Sequence, residues 1–122
     1  PDKGVYLLGV TSKPGSADIQ LQKSGERHIF EIAADMTQKS EQIGLVVGLT
    51  NAAGNVLERI PDVPLLIPGL GAQGGDLAAL KAQSRKAPIV INVSRGIMFA
   101  EPEFSFAAKA EKFAKQIAEA IG

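Results

Sequence analysis

Four short apolar runs punctuate the chain: Val5–Val10, Gly44–Leu49, Pro64–Ile67 and Ile89–Val93. Each is continuously apolar rather than alternating, the pattern of strands buried on both faces of a parallel sheet. Between the runs the period changes to that of a helix. Ile29, Ile32, Ala33 and Met36 fall at helical spacing after the polar turn Lys23-Ser24-Gly25. Leu77, Leu80 and Lys81 begin a second helix, which Asp76 is placed to cap. Phe106, Ala110, Phe113, Ile117 and Ile121 form one stripe of a closing helix, with Lys109, Lys112 and Lys115 largely off it. A weaker helical turn over Asn51–Arg59 joins the second and third runs.

The order strand-then-helix recurs four times, which predicts an α/β fold of parallel strands joined by right-handed crossovers. Four such units make either a small open sheet or half of a TIM (β/α)8 barrel. A half-barrel standing alone exposes two apolar edge strands and one side of its interior. The pattern therefore predicts a further half or self-association.

At 122 residues the chain is one domain at most, and 45% apolar content suffices for a globular core. Thirteen basic and thirteen acidic side chains cancel, so no global field recruits nucleic acid or an anionic membrane. The absence of cysteine removes disulfides and thiolate chemistry and fits a cytoplasmic location. With a single histidine besides, an internal zinc site is not expected. No apolar run is long enough to span a bilayer, and no signal peptide opens the chain. Pro1 is not an ordinary start residue, which predicts that the chain begins inside a longer protein.

Chemistry in parallel α/β folds sits where strands end and helices begin. Three of those junctions are distinctive here. The first reads Val10-Thr-Ser-Lys-Pro-Gly-Ser-Ala-Asp18, with Ser12 near the strand end and Pro14-Gly15 turning the chain. The third sets Gly69, Gly71, Gly74 and Gly75 around Gln73. The fourth is Asn92-Val-Ser-Arg-Gly-Ile-Met-Phe-Ala100, with Arg95 followed at once by Gly96. Glycines let backbone N–H groups approach a ligand, and such groups together with a forked guanidinium suit phosphate. A phosphate held by the loops after the last two strands is a habit of eight-stranded barrels. The stretch is neither a P-loop nor a dinucleotide fingerprint, because the glycine spacing differs and no Lys-Ser/Thr pair follows.

Each signal also has a plainer explanation. Glycine-rich turns serve packing, a lone arginine often forms a surface ion pair, and Ser12 can simply cap the turn before Pro14. His28 fits a helix start and receives no role. Phe106 and Phe113 read as core, with Phe104 anchoring the chain as it enters the last helix. The conjunction of a glycine loop and Ser-Arg-Gly at successive strand ends favours phosphate.

The segments Thr-Ser-Lys-Pro-Gly-Ser-Ala-Asp, Ile-Pro-Gly-Leu-Gly-Ala-Gln-Gly-Gly-Asp and Asn-Val-Ser-Arg-Gly-Ile resemble, in order and spacing, the C-terminal half of orotidine 5′-phosphate decarboxylase. The closest likeness is to the bacterial form with a Thr-Ser-x-Pro-Gly-Ser loop, and it runs from about Gly4 through Ala100. The resemblance implies a TIM barrel that assembles as a homodimer and converts orotidine monophosphate (OMP) to UMP and CO2 in pyrimidine synthesis, with no metal or organic cofactor. It implies that Ser12 bonds the pyrimidine, that Pro68 and Leu70 flank the base and departing carboxylate, and that Gln73 bridges phosphate and base. It assigns the phosphate to Arg95, helped by backbone groups at Gly74, Gly75, Ser94 and Gly96. The family's Asp-x-Lys-x-x-Asp motif, which carries the catalytic lysine, is absent from the sequence. No catalytic residue is therefore expected in this chain, and the partners expected are OMP or UMP, the N-terminal half of the barrel and a second copy. Two other readings stand beside this one: a noncatalytic phosphate-binding or assembly module, and a related phosphosugar enzyme on the same barrel.

Overall fold

The computed structural model describes residues 2–11, 14–49, 56–70 and 75–121. Four strands, β1 (Val5–Val10), β4 (Ile43–Val47), β5 (Leu65–Pro68) and β6 (Ile89–Asn92), form one parallel sheet in the order β1-β4-β5-β6. A hairpin of β2 (Lys23–Ser24) and β3 (Arg27–His28) lies between β1 and helix α1 (Ile29–Thr37). Helices α2 (Gly75–Lys81), α3 (Arg95–Met98) and α4 (Phe106–Ile121) follow the later strands. Sequential strands are neighbours throughout, as expected of repeated β/α units.

The register sorts the side chains onto two very different faces. Leu7, Leu45, Leu65 and Ile89 stand in one cross-strand row. Leu45 and Leu65 are fully buried, and Leu7 and Ile89 pack against them. The helices supply Phe30, Ala34, Leu77 and Leu80 to this same core. One residue along, Leu8, Val46, Leu66 and Val90 form a second row that points the other way. Leu8 is 59% exposed and Val90 49%, while Val46 and Leu66 are only partly buried. The continuously apolar runs predicted burial on both faces. Among the described residues β1 and β6 are instead buried on one face, because their other face is the side of the sheet that no helix covers and both are edge strands.

Gly9 sits at a register shift in β1. Leu8 pairs with Val46 on the open face, yet Val10 pairs with Val47 and is buried. The irregularity turns Val10 into the core. A Cβ at Gly9 would lie 2.8–2.9 Å from the side chain of Leu45, which has nowhere to move. Gly9→Ala is expected to destabilise the chain by about 1–3 kcal/mol through overpacking, read as a lower urea midpoint with an unchanged slope.

Helix faces differ from the periodic expectation. In α1 the buried residues are Phe30, Ala34 and Thr37, while Ile32 and Met36 are exposed. The segment carries apolar residues in two adjacent registers, and the aromatic one wins the interior; its ring stacks on His28 with centroids 5.4 Å apart. In α4 Phe113 and Ile117 of the expected stripe are partly buried, joined by Lys109 and Ala120, whereas Phe106, Ala110 and Ile121 are exposed. Phe106, expected in the core, is therefore at the surface, and Phe104 before it is exposed as well. Helix α2 starts at Gly75, which places Asp76 inside the first turn rather than at the cap. Of the turn expected over Asn51–Arg59, the described part is a 3-10 turn at Leu57–Arg59.

The N-terminal end of the sheet is tied by polar contacts. Asp62 accepts the Lys86 and Ala87 N–H groups at 2.9 and 3.1 Å. The buried Arg85 guanidinium donates to the Ile60 and Pro61 carbonyls, with its Nε 3.8 Å from Asp62. Those N–H bonds, with Arg85 and Lys86 nearby, hold the Asp62 carboxyl below its ordinary pKa. Glu31 is lowered in the same direction by the His28 N–H at 2.7 Å and by Arg59. Both carboxylates have folded pKa values below the unfolded ones. The stability they add is present above the ordinary carboxyl range and is lost as pH falls through the depressed values, below roughly pH 4. Melting temperatures are expected to drop over that window, and Asp62→Asn is expected to flatten the drop.

Candidate functional site

The C-terminal ends of the strands form one rim. At its left edge the Gly48 N–H donates to the Val10 carbonyl at 2.7 Å, joining the ends of β1 and β4. Thr11 follows immediately, its N–H bonded to the Gln20 side chain at 3.1 Å. A 3-10 turn at Pro14–Asp18 continues the loop. Ser12 lies outside the described residues, as do Gln73 and Gly74.

At the other edge, β5 and β6 end in register. Pro68 pairs with Asn92, and the Gly69 N–H donates to the Asn92 carbonyl at 2.8 Å. Gly69 has φ +72°, a conformation in which a side chain would be strained, so the glycine is needed for the chain to leave β5 at this point. Pro68 is exposed on the rim, whereas Leu70 is buried and joins the core cluster. Pro68 is thus the apolar group that the end of β5 presents at the rim.

After β6 the chain turns at once into α3. Asn92 and Ser94 share a side-chain bond at 3.2 Å, and both are exposed. Ile97 and Met98 are the first residues of α3 to donate back, both to the Ser94 carbonyl. The N–H groups of Arg95 and Gly96 precede them and are left over for another acceptor. The Arg95 side chain is exposed and has no hydrogen-bond or ion-pair partner among the described residues. Gly75 opens α2 on the neighbouring unit. The structure therefore brings Pro68, Gly69, Ser94, Arg95 and Gly96 to adjacent loops.

Gly96 has a packing role that the sequence did not disclose. A Cβ there would lie 2.6 Å from Cζ of Phe113 and 2.8 Å from Cε2. The missing side chain lets α3 lie on α4, so packing alone requires glycine at this position. Lys109 was also missed as an interior residue. Its spacing of three from Phe106 and four from Phe113 was the available signal, since that spacing puts all three on neighbouring positions of one face.

Three interstrand steps separate the β1 loop from the β6 loop, about 14 Å at the usual strand spacing. A ligand reaching both would have to be extended. Among the described residues no cluster of metal-binding side chains occurs, and no helix is long and apolar enough to cross a membrane.

These features define a parallel β/α chain with one sheet face left open and with its distinctive loops gathered at the strand ends. The chain belongs to the orotidine 5′-phosphate decarboxylase / HUMPS family, whose profile matches residues 1–110. It is 43% identical, over 99% of its length, to the orotidine 5′-phosphate decarboxylase of Dechloromonas aromatica, of which it covers 48%. Among solved structures it resembles the OMP decarboxylase of Leishmania donovani, at 34% identity and TM-score 0.76, covering 98% of this chain and 48% of that one. It also resembles the UMP synthase of the same organism, at 37% identity and TM-score 0.72, covering 97% of this chain and 28% of that one. The chain spans about half the length of the curated relatives it matches and corresponds to their C-terminal half. Its four parallel units are half of a TIM barrel, the fold of those neighbours.

Proposed function

We propose that this chain is the phosphate- and pyrimidine-binding half of an orotidine 5′-phosphate decarboxylase acting in cytoplasmic pyrimidine synthesis. The observation that carries the reading is the in-register ending of β5 and β6. It sets Pro68 and Gly69 beside a rim whose next cation is an unpaired Arg95. In this reading Arg95 and the backbone at Gly74, Gly75, Ser94 and Gly96 hold the phosphate. Ser12 bonds the pyrimidine, Gln73 bridges base and phosphate, and Pro68 lies along the base with Leu70 behind it.

Decarboxylation leaves an electron pair on C6 of the pyrimidine, which must be stabilised and then protonated. The family assigns that work to the lysine of the Asp-x-Lys-x-x-Asp motif, and the 122 residues contain no such motif. What this chain supplies is grip at a distance from the reacting carbon. Contacts with the phosphate help the chemical step only so far as they are stronger in the transition state than in the ground state. The chain by itself is expected to bind UMP without turning over OMP, and to form the active barrel with the four other β/α units, themselves paired as a homodimer.

Calorimetric titration with UMP tests the reading. Binding that depends on Arg95 supports it, whereas preference for a sugar phosphate over UMP transfers the chain to the phosphosugar branch of the barrel. UMP binding that no added barrel half converts into turnover identifies a noncatalytic module.

A further inference from the structure

Helix α3 is a single turn at the rim, too short to hold its own position, yet it carries Arg95. Its support comes from α4. The Phe113 ring fills the space that Gly96 leaves open. Beyond α3, the Phe99 and Ala100 N–H groups both donate to the Arg95 carbonyl, at 3.0 and 3.2 Å. The carbonyl of the same Ala100 accepts from Nζ of Lys109 at 2.9 Å. Lys112 adds an exposed ion pair to Glu101, at 2.8 and 3.0 Å, and Glu101 has φ +46°.

Lys109 is the unusual member. It is 3% exposed, its ammonium lies 5.0 Å from the centroid of the Phe106 ring, and among the described residues Ala100 is its one hydrogen-bond acceptor. An aliphatic side chain of similar length would fill this space without desolvating a charge. What lysine adds is a directional bond to the carbonyl of Ala100, the residue whose own N–H closes the Arg95 turn. The exposed Lys112–Glu101 pair is screened by solvent and contributes less.

We propose that Lys109 is a positioning residue for Arg95, acting through Ala100, whose carbonyl it bonds and whose N–H bonds the Arg95 carbonyl, to hold the phosphate-binding turn against α4. The role in ligand binding rests on the function proposed above; the mechanical role does not. Two readouts on the full chain separate them. In amide hydrogen exchange without ligand, Lys109→Met is expected to speed exchange at Phe99 and Ala100 at least tenfold. Amides of the β4–β5 sheet centre should be unchanged, and Lys109→Arg should restore protection. In UMP titrations Lys109→Met is expected to lower affinity about tenfold, and to lower it no further in an Arg95→Ala background.

Unchanged exchange at Phe99 and Ala100 overturns the proposal. So does a loss of affinity that persists undiminished in the Arg95→Ala background, which would show that Lys109 acts elsewhere. If the unsubstituted chain does not bind UMP, the nucleotide reading fails while the exchange result still decides whether Lys109 holds the turn. Should Lys109→Met not fold, Lys109→Gln, which shortens the reach to Ala100, carries the same expectation.

Discussion

Arg95→Ala is expected to weaken UMP binding by roughly 30- to 100-fold, with little change in melting temperature. The size follows from what the side chain does in the free protein. It is exposed and has no partner among the described residues, so its removal breaks no internal contact. In the complex it would give the phosphate a charge-assisted, forked pair of hydrogen bonds, worth about 2–2.7 kcal/mol, which converts to that fold-change. Arg95→Lys keeps the charge and loses the fork, so it should recover only part of the affinity. Raising salt should narrow the gap between the unsubstituted chain and Arg95→Ala, because an exposed pair is screened. Calorimetry at two salt concentrations reads all of these. An Arg95→Ala chain that binds UMP as well as the unsubstituted one would remove the phosphate end from the rim.

The second large effect is all-or-none. Mixed with a polypeptide carrying the other four β/α units of a family barrel, the chain is expected to decarboxylate OMP, whereas neither piece does so alone. The missing chemistry is the lysine motif, and the missing packing is a cover for the Leu8–Val46–Leu66–Val90 row. Fully burying a Leu or Val side chain contributes about 1.5–3 kcal/mol. Four such side chains, two of them about half exposed, therefore offer several kcal/mol towards association, before the entropy cost of bringing two chains together. Val90→Asp places a charge at the β6 edge of that row, where the side chain is already half exposed, and should abolish association and turnover together while leaving the isolated chain folded. Loss of OMP, followed by absorbance, and sedimentation of the mixture are the measurements. Turnover that survives Val90→Asp would show that the open face is not where the halves meet.

Most of the sheet was legible in the chain because a parallel strand buried under helices needs an unbroken apolar run. The predicted β1 coincides with the observed Val5–Val10, and the other three strands shift by one or two residues at their ends. The family was legible for a different reason. The segments at the strand ends carry glycines, a serine and an arginine in an order and spacing that resemble the family's, and the family model matches residues 1–110. Helix faces were less legible. Ile29, Ile32 and Met36 in α1 satisfy the helical period as well as Phe30, Ala34 and Thr37 do, and periodicity cannot choose between two apolar stripes one residue apart. In α4 a lysine was assigned to solvent by its charge, although its long aliphatic stem can lie inside when the ammonium finds a carbonyl.

By itself the sequence determined the number and order of the β/α units, the parallel sense of the sheet and the residue types available to an anion. Those properties depend on local period and on chemistry that a residue carries wherever it sits. Only the tertiary structure decided that Leu8 and Val90 share one uncovered row, that Gly96 is a notch for Phe113, and that Lys109 reaches the carbonyl of Ala100 just beyond the Arg95 turn. Each of these is a contact between residues from different elements. Its energy depends on strand register and helix rotation, which are set when the whole sheet and its helices pack together.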